Sequence, residues 1–294
     1  MTSRRCVHDP PHAAALGAVR PAGLDAGLHH PGACRHGLAV RPVRSPSGAG
    51  RTGDLCLPRA AVGRALPASI PGRRQGAVVI PVLRTAGGVT LVGGGELGHG
   101  DLAEALSTAP LLVAADSGAD AALAAGHVPD AVIGDFDSIS PEAQARIPRE
   151  RLHRVAEQDS TDFAKCLSRI DAGFVLALGF EGRRLDHTLA ALTVMTQNRG
   201  RAILMLGAED VTFLAPPRLD LPLAADTRVS LWPMGPARGI STGLRWPIDG
   251  IEFAPHGTVG TSNIALGPVS LAIEGPMLVL LPREQWRLVL AALT

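Results

Sequence analysis

From Val79 onward, short apolar runs that end in Gly or Asp alternate with stretches of helical periodicity. This is the rhythm of an α/β domain with a mainly parallel sheet. The predicted strands are Val89–Val92, Leu111–Ala115, Ala131–Ile133, Leu152–Val155, Phe174–Leu178 and Ala202–Leu206. Helices are expected between them. The best defined follows Asp159, a suitable N-cap, with Phe163, Cys166, Leu167 and Ile170 recurring at i, i+3, i+4 and i+7 to form one buried face. Past residue 207 the helical period fades. Stretches such as Arg228–Trp232 and Met277–Leu281 alternate with Gly and Pro turns, and Arg283–Leu293 reads equally as a short helix or a strand. The pattern therefore predicts an α/β domain over residues 77–207 and an all-β, sandwich-like domain over 208–294.

Residues 1–76 differ in kind, being rich in Arg, Pro, Gly, Ala and His, without Phe, Tyr, Trp or Lys, and lacking a sustained period of 2 or 3.6. With little to bury, the segment reads as a disordered or non-native extension. A transit peptide shares its excess of arginine over acids, but prolines interrupt the amphipathic pattern that such a peptide needs. Residues 1–78 hold 11 of the chain's 28 basic residues and 3 of its 27 acids, so residues 79–294 carry 17 basic against 24 acidic residues. An acidic, aromatic-poor body lacks the basic patches and stacking platforms that nucleic-acid binding requires. Apolar runs such as Leu111–Ala115 fall far short of the roughly 20 residues of a membrane span. Three of the four cysteines precede residue 77 and only Cys166 lies in the body, so no disulfide framework is available there. The expectation is a cytoplasmic protein with no nucleic-acid or membrane partner.

Ligands of open parallel sheets bind beyond the carboxyl ends of the strands, and the unusual residues gather at those ends. Val89–Val92 runs into Gly93, Gly94 and Gly95, either a plain tight turn or a turn whose N–H groups are open to a phosphate. Leu111–Ala115 ends in Asp116, Ser117 and Gly118, where the carboxylate could cap the helix Ala119–Ala125. In GDFDSIS, Asp135 and Asp137 stand at i and i+2 and can face one point. Two carboxylates so placed repel unless a cation lies between them, which suits Mg²⁺; a solvated acidic turn is the alternative. EQDSTDF puts Asp159, Thr161 and Asp162 at a helix N-terminus, where carboxylates cap and N–H groups attract anions. Lys165, the chain's single lysine, follows Asp162 at i+3. LGFEGRRLDH repeats the strand, glycine loop and helix plan with Arg183, Arg184, Asp186 and His187, and an arginine beside such a loop suits a polyphosphate. No GxxxxGK[ST] occurs, which excludes a P-loop kinase, and the body's histidines form no zinc spacing with Cys166.

The segments ADSGAD, GDFDSIS, DSTDFAKCL, GFEGRRLDH, STGLRWPI and GTSN, in this order, resemble the thiamine pyrophosphokinase family over residues 87–294. The resemblance implies an α/β nucleotide-binding domain followed by a β-sandwich, a homodimer with active sites built between subunits, Mg²⁺, and ATP and thiamine as substrates. Diphosphate would pass from ATP to the thiamine hydroxyl and leave AMP. By position, Asp116, Asp135, Asp137 and Asp162 match the acidic residues around Mg-ATP, with Asp135, Asp137 and Asp162 as metal ligands. Asp159, Thr161, Lys165, Arg183 and Asp186 match neighbouring motif positions, and Trp246, Ser262 and Asn263 match the thiamine side. Ser117 stands where the family often has glycine, and nothing in the family resembles residues 1–76. A pyrophosphokinase for another alcohol, such as a hydroxymethyl pterin, and a non-catalytic nucleotide-binding regulator are the alternative readings. A regulator would be expected to lose the acidic residues that this chain keeps.

Overall fold

The computed structural model describes residues 80–182 and 184–294, so the expectations for residues 1–76 and for Arg183 lie outside the described residues. The elements in chain order begin with β1 (Leu83–Arg84), β2 (Gly88–Val92), α1 (Asp101–Leu106), β3 (Leu111–Ala115) and α2 (Gly118–Ala124). Next come β4 (Ala131–Gly134), α3 (Pro141–Arg146), β5 (Leu152–Arg154), α4 (Asp162–Leu167), β6 (Ile170–Asp171) and β7 (Phe174–Leu178). After α5 (Leu185–Gln197) and β8 (Ala202–Leu206), the strands β9 (Asp210–Leu214), β10 (Arg218–Leu221), β11 (Arg228–Pro233), β12 (Arg238–Leu244), β13 (Gly260–Glu274) and β14 (Met277–Pro282) precede α6 (Trp286–Leu293).

The result is a mixed α/β fold on one large sheet. Its strands run in the order β10-β13-β11-β14-β9-β8-β7-β2-β3-β4-β5, with β12 on β13 and a separate β1–β6 pair. From β8 to β5 every neighbouring pair is parallel. The strands inside the edge strand β5 read as largely apolar runs because helices cover both faces. On one side Phe163, Cys166 and Leu167 of α4 and Ala191, Val194 and Met195 of α5 pack on Val89, Leu91 and Val113. On the other, Leu102, Ala119, Ala122, Leu123 and Ala143 of α1 to α3 pack on Val92, Leu112 and Val132.

Between β8 and β9 the sheet turns antiparallel, at the point where the sequence pattern changes, and its hydrogen bonding continues through the reversal. β13 pairs with β11 through its first residues and with β12 and β10 through the rest. The switch falls at Gly267, whose φ of +148° is one that L side chains rarely adopt, followed by Pro268. Leu219, Leu231, Leu271, Ile273 and Val279 thereby enclose one apolar core, joined by Trp286 and Val289 of α6.

Two expectations need correction. The helix of DSTDF starts at Asp162, because Thr161 adopts an extended backbone and its side chain accepts from Ala164 N–H at 3.3 Å. Asp159 is held outside the helix, its N–H donating to Glu157 Oε2 at 2.9 Å. The helix also stops at Leu167, and Ile170, though buried, belongs to β6 opposite Leu83. The ambiguous tail resolves into a single turn, Arg283–Gln285, followed by α6.

Candidate active site

The carboxyl ends of β2, β3, β4 and β7 open into a cleft of about 560 Å³, a volume suited to a nucleotide-sized ligand. The loop after β2 and the loop after β7 interlock there. Gly93 N–H donates to Leu178 O at 2.8 Å and Gly95 N–H to Gly179 O at 2.7 Å. Two of the three GGG donors are thus spent on the end of β7 and the loop that follows it rather than left open to a phosphate. Glycine is needed at Gly95 for close approach, since a Cβ there would lie 2.5 Å from Gly179 O and 2.6 Å from Glu181 O.

β3 delivers Asp116 and β4 delivers Asp135 and Asp137 to one place, where one oxygen from each lies within 4.8 Å of the others. Asp116 is only 2% exposed, and Gly134 gives it room, since a Cβ there would fall 2.9 Å from Asp116 Cβ. Asp116 and Phe136 have φ of +45° and +67°, left-handed values that cost energy outside glycine. Phe136 N–H donates to Asp116 Oδ2 at 3.1 Å, while the buried Asp116 Oδ1 has no hydrogen-bond partner among the described residues. An orphaned buried oxygen beside two further carboxylates is a donor set suited to a hard cation.

Lys165 is buried beside this cluster, its Nζ 2.8 Å from Asp135 Oδ2 and 3.1 Å from Asp162 Oδ1. It does more than form the i, i+3 contact with Asp162, for it also neutralises a carboxylate 30 residues away. Gln158 Nε2 donates to the same Asp135 oxygen at 2.9 Å. Lys165 holds the Asp135 carboxyl at about 2, whereas burial, with Asp162 and Asp135 adding to it, pushes Asp116 up to about 6. Burial also raises Asp162, against the pull of Lys165. The trio that shares one point is Asp116, Asp135 and Asp137, with Asp162 turned to Lys165.

The raised Asp116 makes the fold bind a proton that the unfolded chain releases, so stability should fall as pH rises from about 4 to about 6. A divalent cation bound at the trio would replace that proton. The thermal upshift given by Mg²⁺ should be larger above pH ~7 than below pH ~5. Melting curves with and without Mg²⁺ check this, and an upshift independent of pH would remove Asp116 from the cation site.

Among the other expected residues, Gly94, Ser117, Thr161, Asp162 and Lys165 line the cleft. Gly118 is buried in the first turn of α2, and Asp159 is exposed. Asp186 is exposed and pairs with Arg184, whose Nη2 lies 2.5 Å from Asp186 Oδ2. Trp246, just past the end of β12, and Ser262 and Asn263 of β13 are not among the residues of the cleft wall. Asn263 spends its amide on Trp246, donating Nδ2–H to Trp246 O at 2.7 Å and accepting Trp246 N–H at 3.2 Å. The indole itself is 54% exposed. Phe180, whose ring centroid is 4.3 Å from that of Phe163, Glu181, Gln158 and Arg184 also line the cleft. Each belongs to a segment the sequence marks out, but the pattern alone did not separate them from their neighbours.

Fold and cleft together define a mixed α/β protein with a carboxylate cage at the carboxyl edge of its parallel strands. Residues 102–205 match the family model described as thiamin pyrophosphokinase, catalytic domain. This segment, which holds Asp116, Asp135, Asp137, Asp162 and Lys165, is thus similar to that catalytic domain. A rice protein named thiamine pyrophosphokinase 1 is 30% identical over 157 residues, covering 47% of this chain and 60% of the relative. A second rice protein, thiamine pyrophosphokinase 3, is 27% identical over 157 residues and is covered to 59%. The chain thus spans about 60% of the length of these curated relatives. The thiamin pyrophosphokinase structure from Candida albicans shares the fold with a TM-score of 0.58 at 18% identity, over 67% of this chain and 89% of that one. The one from Geobacillus thermodenitrificans gives a TM-score of 0.55 at 22% identity, over 66% and 96%.

Proposed function

We propose that this chain is a magnesium-dependent thiamine pyrophosphokinase that transfers diphosphate from ATP to thiamine. The observation that carries the proposal is the carboxylate trio with its orphaned Asp116 Oδ1, set beside the interlocked glycine loops in a chain whose residues 102–205 match the thiamin pyrophosphokinase catalytic domain. Asp116, Asp135 and Asp137 would hold Mg²⁺, which when bound supplies neutralising charge to the polyphosphate. Lys165 keeps Asp135 ionised and fixes its Oδ2, which holds the carboxylate in place within the trio. Arg184, on the cleft wall, is free to turn from the exposed Asp186 to a phosphate, and Arg183 remains the motif's second candidate for that role. The thiamine hydroxyl oxygen forms a bond to the β-phosphorus, the bond from that phosphorus to the α–β bridging oxygen breaks, and AMP leaves with the electron pair. A cleft carboxylate accepts the hydroxyl proton.

Trp246 and Ser262 stand outside the cleft of their own chain, so a homodimer in which one copy's β12–β13 edge faces the other's cleft would bring acceptor and donor together. Leu185 and Leu189, 72% and 52% exposed at the start of α5 near the cleft, give such a partner an apolar landing. AMP release from ATP, measured with and without thiamine, tests the assignment: release dependent on thiamine supports it, and preferential use of a hydroxymethyl pterin contradicts it. Trp246→Ala should raise the KM for thiamine about tenfold while leaving that for ATP near its starting value, since a flat indole suits a heteroaromatic ring. Equal changes in both KM values would remove Trp246 from the acceptor side.

A further inference from the structure

Arg283 follows β14, far in sequence from the cleft, yet its side chain is only 15% exposed. Its Nη2 lies 2.9 Å from Asp101 Oδ1 and 3.5 Å from Glu104 Oε2, close enough for ion pairing although neither oxygen lies along an N–H. Its Nη1 donates to Gly207 O at 2.5 Å and to Asp101 Oδ2 at 3.4 Å. Each of these partners leads to one wall of the cleft. Asp101 Oδ2 also accepts Gly98 N–H at 2.7 Å, which anchors the far end of the loop that begins at Gly93–Gly95. Gly207 packs directly against the carboxylate of Glu181, a cleft residue that a Cβ at Gly207 would displace. Burial raises the Glu181 carboxyl and Asp210 adds to that, while Arg283 opposes it, so the guanidinium also acts on Glu181 through space. The neighbouring residues reinforce the clasp. Trp286 Nε1 and Arg287 Nη1 both donate to Glu104 Oε1, at 3.2 and 2.7 Å.

We propose that Arg283 is a positioning residue for nucleotide binding: by gripping Asp101 and Gly207 O at once, it sets the two loops, after β2 and after β7, that interlock through Gly95 and Gly179. It touches no substrate. A planar fork with fixed N–H directions can hold two partners in one geometry, whereas an ammonium of equal charge holds them loosely. The inference rests on ATP occupying this cleft.

The test compares Arg283→Lys, Arg283→Ala and Asp101→Asn with the unsubstituted chain, reading KM for ATP, KM for thiamine, kcat and melting temperature. Arg283→Lys should raise the KM for ATP roughly tenfold, the scale of a small misplacement of binding groups, with kcat and the KM for thiamine within about twofold. Asp101→Asn should move the same constant in the same direction. A folded Arg283→Lys protein with an unchanged KM for ATP overturns the proposal. So does an Arg283→Lys chain that cannot fold, since Arg283 would then serve stability alone. If the unsubstituted chain releases no AMP with thiamine, the failure belongs to the functional assignment instead.

Discussion

Asp137→Asn is expected to lower kcat by about 10²-fold or more while the protein stays folded, by analogy with the loss of other electrostatic stabilisers. Asp137 is exposed, and its Oδ1 accepts from Ser138 Oγ at 2.6 Å, a bond that an Asn oxygen can keep. The substitution preserves the turn and removes one charge from the trio. Asp135→Asn should cost as much activity but should also soften the fold. Asp135 is the nearer partner of the buried Lys165 and accepts from Gln158 at the same oxygen, so its charge supports the structure as well as the site. This difference between two acids two residues apart follows from burial, because the i, i+2 spacing treats them alike. Measuring kcat against Mg²⁺ concentration, with circular dichroism as the folding control, separates the outcomes. A folded Asp137→Asn protein with near-normal kcat and unchanged Mg²⁺ dependence would show that GDFDSIS is only a turn.

Lys165→Met is expected to cost stability on the order of 3 kcal/mol. Lys165 is 2% exposed and neutralises both Asp135 and Asp162, and removing one partner of a buried pair leaves the other charge uncompensated. For a fold of this size that corresponds to a fall in melting temperature on the order of 10 °C. Mg²⁺ should then recover more stability in the variant than in the unsubstituted chain, because the cation takes over part of the neutralisation that Lys165 provides. A variant with an unchanged melting temperature would mean that the acids accept the loss by taking up protons, and that Lys165 is not the counter-charge of the site.

The parallel half of the sheet was legible because its strands are buried on both faces, which leaves apolar runs such as Leu111–Ala115 and Phe174–Leu178 with sharp Gly or Asp ends. β13 was not, because Gly267 and Pro268 interrupt a 15-residue strand at the point where it changes partners. The gathering of Asp116, Asp135 and Asp137 follows from their places at the ends of adjacent strands, which the pattern supplied. Which acids face each other does not follow from place alone. Lys165 selects among them from α4, and only packing shows that it reaches Asp135 as well as Asp162. The two readings of GGG stayed open for a similar reason, since only packing shows that the end of β7 and its loop approach closely enough to use the N–H groups of Gly93 and Gly95. Asn263 illustrates the limit of matching by motif position, for its amide is committed to the backbone of Trp246. Arg283 lies in a tail that the pattern left ambiguous, and its contacts with Asp101 join residues 182 apart.

In the proposed reaction, diphosphate moves from ATP to thiamine in one piece. ATP labelled at its β-phosphorus, incubated with the protein, Mg²⁺ and thiamine, tests it most directly when the products are separated. Label recovered in thiamine diphosphate, in amounts equal to unlabelled AMP, is the predicted result. Label left in ADP, or thiamine recovered as its monophosphate, would contradict it.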